Sequence, residues 1–331
     1  MLTLQHSAIA VNFDPDRYGD KELKVATINK ITQKIRNELG KDLSLLVPLF
    51  QLSLADALSY QKSDGSGGID GSILYELDRP SSAGLQKAAA LIENCHAELA
   101  RTTEISYADI IAFGGASAIE VIGGPKVKVQ IGRADTKEAE PEAARAGFSW
   151  QSPTLDGLRK LGKGCDLSGA ELVALVGTLG TLELAARPMP EFLSAEEDDE
   201  DIDPDGKAAA AEVGGGYADT MYGKAKNKAG SKFGDANYLR DQKLSVDVRV
   251  QKIGNQAFDT TYFASLLDKK RAAPLSPLES AILADKELKK SVEEFSKSKQ
   301  KFRETVRSTY GRLQVLGGNY VGAASFLDDS N

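Results

Sequence analysis

Cysteine is scarce in this chain, two residues in 331, and so few exclude a disulfide-built scaffold. Cys95 and Cys165 also lack the spacing of a metal or redox motif. They read as buried free thiols, with a single bridge between them as the alternative. No run of eighteen apolar residues occurs, so no bilayer span is expected, and the first thirty residues lack the basic start and apolar stretch of a secretory signal. An excess of positive charge is missing too. The net charge is −7, from 41 Lys and Arg against 48 Asp and Glu, which makes nucleic acid and anionic membrane surfaces poor partners. With 41% hydrophobic residues the chain is too apolar for general disorder. Its length suits one two-lobed domain or two small ones.

What is present is mostly helical pattern. Leu23, Ile28, Ile31, Ile35 and Leu39, then Leu43, Leu46 and Phe50, fall at helical spacing and predict two successive helices. Gly40 and Lys41 punctuate them, and Asp42 is placed to cap the second. The glycine-rich stretch 63–72, SDGSGGIDGS, predicts a loop. Further helices are predicted over 82–99, 106–121, 155–161 and from 168 to 175 or beyond. Between 183 and about 245 the pattern dissolves into an acidic run, an alanine run, a triple glycine and a lysine-bearing stretch, which reads as an irregular insertion. Helical spacing returns at 258–267, FDTTYFASLL, and one long charged helix is predicted over 286–313.

The stretch 106–135, SYADIIAFGGASAIEVIGGPKVKVQIGRAD, runs from a helix to GGP, then six residues, then GRxD. It resembles the class I haem peroxidases of the ascorbate peroxidase kind. Gly123, Gly124 and Gly132 suit tight turns, and Arg133 and Asp135 can tie the turn down by paired hydrogen bonds. Four more segments follow the family's order: SGGIDGS at 66–72, the helix after GCDLSGAELVAL at 164–175, FDTTYF at 258–263, and SPLESAILADKELKKSVEEF at 276–295. The resemblance implies a mainly α, two-lobed haem-peroxidase-like fold in a single domain, with a distal lobe over about 20–145 and a proximal lobe over about 150–315. The phrase GGIDGSILYELDRPSSAGL at 67–85 is similar to the haem-free branch of that family in the thylakoid lumen of plants. It implies a chloroplast location and a protein partner such as photosystem II.

A haem peroxidase needs a distal base to move a proton between peroxide oxygens, a cation to stabilise the departing charge, and an imidazole on iron. The family supplies Arg, two residues, an aromatic and His on the distal side. Here the matching stretch reads Val47, Pro48, Leu49, Phe50, Gln51, and only the aromatic survives. Gln51 cannot serve as a base near neutral pH, and Val47 offers no charge. On the proximal side VALSGxHTIG becomes Val173, Ala174, Leu175, Val176, Gly177, Thr178, Leu179, Gly180, with Leu179 at the iron ligand's place. The carboxylate that would orient the imidazole matches Glu279, the proximal indole falls near Gln251, and the residue bracing the distal histidine matches Ser82. The chain's two histidines, His6 and His96, lie outside both motifs and read as surface or partly buried residues. Cys165, Met189 or a tyrosine would be substitute ligands that no spacing favours. The resemblance therefore implies no haem and no catalytic residues. It also implies that the former slot is filled, since a cavity costs on the order of 24 cal/mol per Å³.

Asp201, Asp203, Asp205, Gly206 and Glu212 match the spacing of a calcium loop, although Pro204 is awkward within one and the acidic run makes chance spacing common. A solvated acidic loop is the competing reading. Asp259 matches an aspartate at a monovalent cation site in some family members, with Gly180 or Thr181 as helpers, against a plain helix-start role. The expectation is an inactive, haem-free structural or interaction subunit. The alternatives are a residual haem peroxidase that reduces hydrogen peroxide with an unusual iron ligand or none, and an acidic ion-binding module.

Overall fold

A computed structural model describes residues 20–103, 105–141, 148–187, 258–271 and 273–320. The chain divides into two units, Met1–Arg187 with Val246–Asn331, and Pro188–Ser245; all described residues lie in the first. They form ten α-helices and, among the described residues, no strand. Helix α1 (Asp20–Lys41) buries Ile31, Ile35 and Leu39 along one face, as their spacing predicts. Gly40 lies inside its last turn, where helix geometry costs glycine least because the end frays anyway. The Asp42 carboxylate accepts the Ser44 amide and starts a short 3₁₀ turn, Leu43–Leu45, that leads into α2 (Leu46–Ala57).

Helix α3 (Gln86–Leu99) begins four residues after the predicted start, because Pro80–Ser82 closes its own 3₁₀ turn first. Helix α4 (Tyr107–Val121), capped by Ser106, is buried along nearly its whole length. It packs on α1, α2 and α3, so it is the hub of the first four helices. Helices α5 (Leu155–Gly164) and α6 (Gly169–Ala186) follow. Since α6 runs to Ala186, residues 183–186 belong to a helix and not to the expected insertion; Leu182 and the half-buried Ala185 and Ala186 keep its apolar face on the core. The rest of that insertion lies outside the described residues.

The remaining helices are α7 (Thr261–Leu267), α8 (Pro277–Ala284), α9 (Lys286–Lys297) and α10 (Lys299–Leu313). The single long helix expected over 286–313 is two. Ser298 is extended, with φ −135° and ψ 96°, and its hydroxyl accepts the Lys301 amide to start the second. The break lets Leu288, Val292 and Phe295 face one way and Phe302, Val306 and Tyr310 another, so that both helices reach α6. Helix α6 is thus the second hub, touching α2, α7, α9 and α10. By length and composition α6 alone among the described helices could cross a membrane, with mean hydropathy 1.4, yet 56% of that window is buried inside the protein. This is how the central helix of a folded core reads.

A capping box starts α6: Ser168 accepts the Glu171 amide, and Glu171 accepts the Ser168 amide at 2.8 Å. Burial raises the Glu171 carboxyl, but the Ser168 amide, Arg312 and the Ser168 hydroxyl together hold it below its ordinary value. A carboxyl depressed in the folded state contributes stability that is full above its unfolded pKa and is lost as pH falls through the folded one. Glu171→Gln is therefore expected to flatten the acid limb of stability against pH measured by urea unfolding; an unchanged acid limb would refute this.

The GGP turn holds Gly123 at φ +79°, a Cβ on Gly124 would overlap Ile119, and Gly132 in the GRxD segment takes φ +107°. Arg133 and Asp135 do not tie the turn as a pair. The fully buried Arg133 guanidinium meets the equally buried Asp109 of α4 at 2.8 Å. Asp135 instead accepts the amides of Tyr107 and Ala108, at 3.0 and 2.8 Å. A guanidinium removed from water requires a buried anion, and the open amides at the start of α4 draw the other carboxylate.

Candidate functional site at the junction of α2 and α6

The two helices carrying the distal and proximal motifs pack directly on each other, with Cα atoms within 8 Å across the contact. On α2, Phe50 is fully buried with its ring 5.5 Å from Tyr310. Val47 is half-buried against the core, and Gln51 is half-buried one turn further on. Ser82 faces the end of α2, one turn beyond Gln51. Its buried hydroxyl has no partner and lines a cavity of about 10 Å³ with Ala55, Leu58, Phe148, Trp150 and Leu161, none of them a residue of the distal motif.

On α6, Leu179 is half-buried against the core between Thr178 and Gly180, both buried. A Cβ at Gly180 would overlap the Tyr262 ring, and one at Gly177 would overlap the Phe263 ring. These two glycines let aromatic rings from α7 lie flush on the helix that carries the proximal motif. The Tyr262 hydroxyl then donates to Glu279 at 3.1 Å. Glu279 is fully engaged: its other oxygen accepts the Ser276 amide at 2.7 Å, and Arg271 lies 3.7 Å away. Burial first, then the Glu279 charge, pushes the Tyr262 phenol up, so it stays a neutral donor. The carboxylate matched to imidazole orientation thus serves a tyrosine and a helix cap.

These residues do not fit the haem that such a scaffold implies. Leucine has no lone pair for iron, the face of α6 beside it is covered by a ring, and the orienting carboxylate is occupied. Neither cysteine supplies the missing donor. Both are free and buried, burial pushes Cys95 up to about 11 and Cys165 up to about 12, and the Cys165 thiol donates to the carbonyls of Ala57 and Tyr60 at 3.7 and 3.8 Å. His96 donates from Nε2 to the Ile105 carbonyl at 3.0 Å and stacks on Tyr107 at 3.8 Å, which places it at the link between α3 and α4. His6, Met189, Gln251 and the calcium-spaced Asp201, Asp203, Asp205 and Glu212 lie outside the described residues. Asp259 accepts the Thr261 amide at 2.8 Å, a helix-start role, while the Thr181 hydroxyl donates back to the Gly177 carbonyl. Among the described residues no group of three or more His, Cys, Asp or Glu could hold a metal ion.

Sequence reasoning missed a buried polar relay beside Phe50. The Tyr310 hydroxyl donates to the Ala112 carbonyl at 3.1 Å, so the Ser53 hydroxyl, 2.7 Å away, donates to Tyr310. Gly115 is what admits it, since a Cβ there would overlap the phenol oxygen. Asp56 was also missed: it accepts the amides of Gly71 and Ile73 and the Ser72 hydroxyl, fixing the glycine-rich loop to α2. The available signal was Ser53 and Asp56 standing, with Gln51, as the polar residues of the largely apolar LFQLSLADAL.

An all-helical scaffold with this turn and these two central helices is that of a peroxidase, and the peroxidase family profile matches residues 29–298; the chain belongs to that family. Proteins it is similar to include ascorbate peroxidases and a thylakoid lumenal protein. It is 34% identical over 135 residues to putative L-ascorbate peroxidase 6 of Arabidopsis thaliana, a match covering 40% of each chain. Probable L-ascorbate peroxidase 7, chloroplastic, of Oryza sativa subsp. japonica is 27% identical over 325 residues, 94% of this chain and 76% of that one. The thylakoid lumenal 29 kDa protein, chloroplastic, of Arabidopsis thaliana is 36% identical over 130 residues, 29% of this chain and 37% of its own. Two of these three matches therefore span well under half of the relative's length.

Proposed function

We propose that this chain is a haem-free, catalytically inactive member of the peroxidase family that acts through its surface as an interaction subunit, located in the chloroplast thylakoid lumen and bound to a photosystem complex. The observation that carries this reading is the state of α6: an aliphatic Leu179 at the ligand's place, beside a glycine over which the Tyr262 ring lies on its way to Glu279. The compartment is supported by the chloroplastic and thylakoid lumenal names of the relatives, and the protein partner by the resemblance of residues 67–85 to the lumenal branch.

Titrating the purified protein with haem tests the reading. The expected result is no saturable Soret band at one equivalent and no peroxide-dependent turnover. Restoring the imidazole alone, Leu179→His, is expected to leave the protein folded and still without a stoichiometric Soret band, because Tyr262 and the direct contact of α2 with α6 occupy the space. A one-to-one Soret band in the unsubstituted protein with peroxide consumption would instead establish the residual peroxidase. Co-purification with photosystem complexes from lumen-side membranes tests the partner, and a chain found only in the stroma would refute the location.

A further inference from the structure

Away from the α2 and α6 junction, the GGP turn and the start of α10 enclose an open groove of about 540 Å³. Lys299, Arg303 and Arg307 stand on one face of α10 at four-residue spacing, and Lys126 faces them from the turn. Arg303 forms the fixed floor. Its guanidinium donates to the carbonyls of Gly123 and Gly124 and lies 5.9 Å from the centre of the Phe258 ring, so its charge is held in place before any ligand arrives.

The other three cations are exposed and, among the described residues, have no ion-pair partner. Several other exposed cations are paired, Lys62 with Asp166, Lys87 with Asp42, Arg159 with Asp285 and Lys301 with Glu294, whereas here three without such a partner gather around one groove beside the held Arg303. The one carboxylate at the groove, Glu304, takes the Gln300 amide. A concentration of unpaired positive charge in a chain of net charge −7 creates a local potential opposite in sign to the whole. A long polyanion or an anionic bilayer would meet the repulsion of the rest of the surface. A short acidic segment could lie within the groove, inside a Debye length of about 8 Å at physiological salt.

We propose that this groove docks an acidic polypeptide segment, rich in Asp or Glu, of a partner protein. This rests on the reading of the chain as an interaction subunit and names the surface it would use.

The test measures fluorescence anisotropy of a labelled hexaglutamate peptide with the full chain, at low salt and near physiological salt. Saturable binding that weakens with salt is expected. Lys299→Glu with Arg307→Glu should weaken it by about tenfold or more, since each reversal replaces an attraction by a repulsion. Lys160→Glu with Lys163→Glu, on α5, changes net charge equally and should have little effect; circular dichroism of both variants separates lost binding from lost folding. Equal weakening by both pairs would overturn the proposal. So would absence of peptide binding at low salt, or a preference for anionic-lipid vesicles or an RNA homopolymer over the peptide. If the peptide fails while the chain still co-purifies with photosystem complexes, the groove falls and the interaction role stands. If the peptide binds but the chain proves to turn over peroxide, the groove stands on an enzyme.

Discussion

Asp109→Ala is expected to lower stability by about 3–5 kcal/mol, the cost of leaving one member of a buried ion pair uncompensated. Both side chains are fully buried at 2.8 Å separation, and the Asp109 carboxylate also accepts the Gly132 amide at 2.7 Å. Burial raises the Asp109 carboxyl, while the Arg133 guanidinium and these amides oppose it. Arg133 in turn donates to the carbonyls of Gln130 and Gln314, at 2.6 and 2.5 Å. It therefore binds α4, the turn and the end of α10 together. Removing the carboxylate leaves a guanidinium in the core with backbone oxygens and the Tyr320 ring, 5.3 Å away, and no anion to balance its charge. Urea unfolding measures the loss, and a change below about 1 kcal/mol would mean that the pair carries little. The double substitution Asp109→Leu with Arg133→Met is expected to be less damaging than either single one, because no lone charge remains.

The second large effect is expected at Phe263→Ala, a loss of about 3–5 kcal/mol as a buried ring is replaced by a cavity. Phe263 stands in an aromatic cluster, its ring centre 5.5 Å from Tyr262, 5.4 Å from Phe295 and 4.9 Å from Phe302. It also lies flush on Gly177. Gly177→Ala alone should cost about 1–3 kcal/mol by overpacking. Combining the two should cost less than their sum, because the added methyl enters the vacated space. Strict additivity in thermal or urea unfolding would show that the ring does not press on α6 as described. These measurements bear on function as well as stability, since the rings they probe cover the face of α6 that carries the degenerate proximal motif.

Much of the scaffold was legible in the chain because its signals are local. Apolar residues at helical spacing mark α1 through α6, Ser106 and Ser168 stand at helix starts, and Gly123 and Gly132 sit where the backbone takes positive φ. The break at Ser298 was not legible, because Ser is tolerated inside helices and the apolar spacing of 286–313 continues almost unbroken across it. The site was legible only as an absence of chemistry at Val47, Gln51 and Leu179. What replaced that chemistry was not, because Tyr262 and Glu279 come from separate segments about 80 and 100 residues beyond Leu179, and no period in the sequence links them.

Local pattern was enough for most of the helices, for the peroxidase signature of 106–135 and for the lack of histidine in either motif. Only the tertiary structure decided that α2 and α6 touch, that Arg133 pairs with Asp109 and not with its neighbour Asp135, and that the rings of Tyr262 and Phe263 lie on Gly180 and Gly177. The physical reason is range. Backbone preference and apolar periodicity act over a few residues, whereas close packing and the pairing of buried charge depend on which distant side chains share one volume.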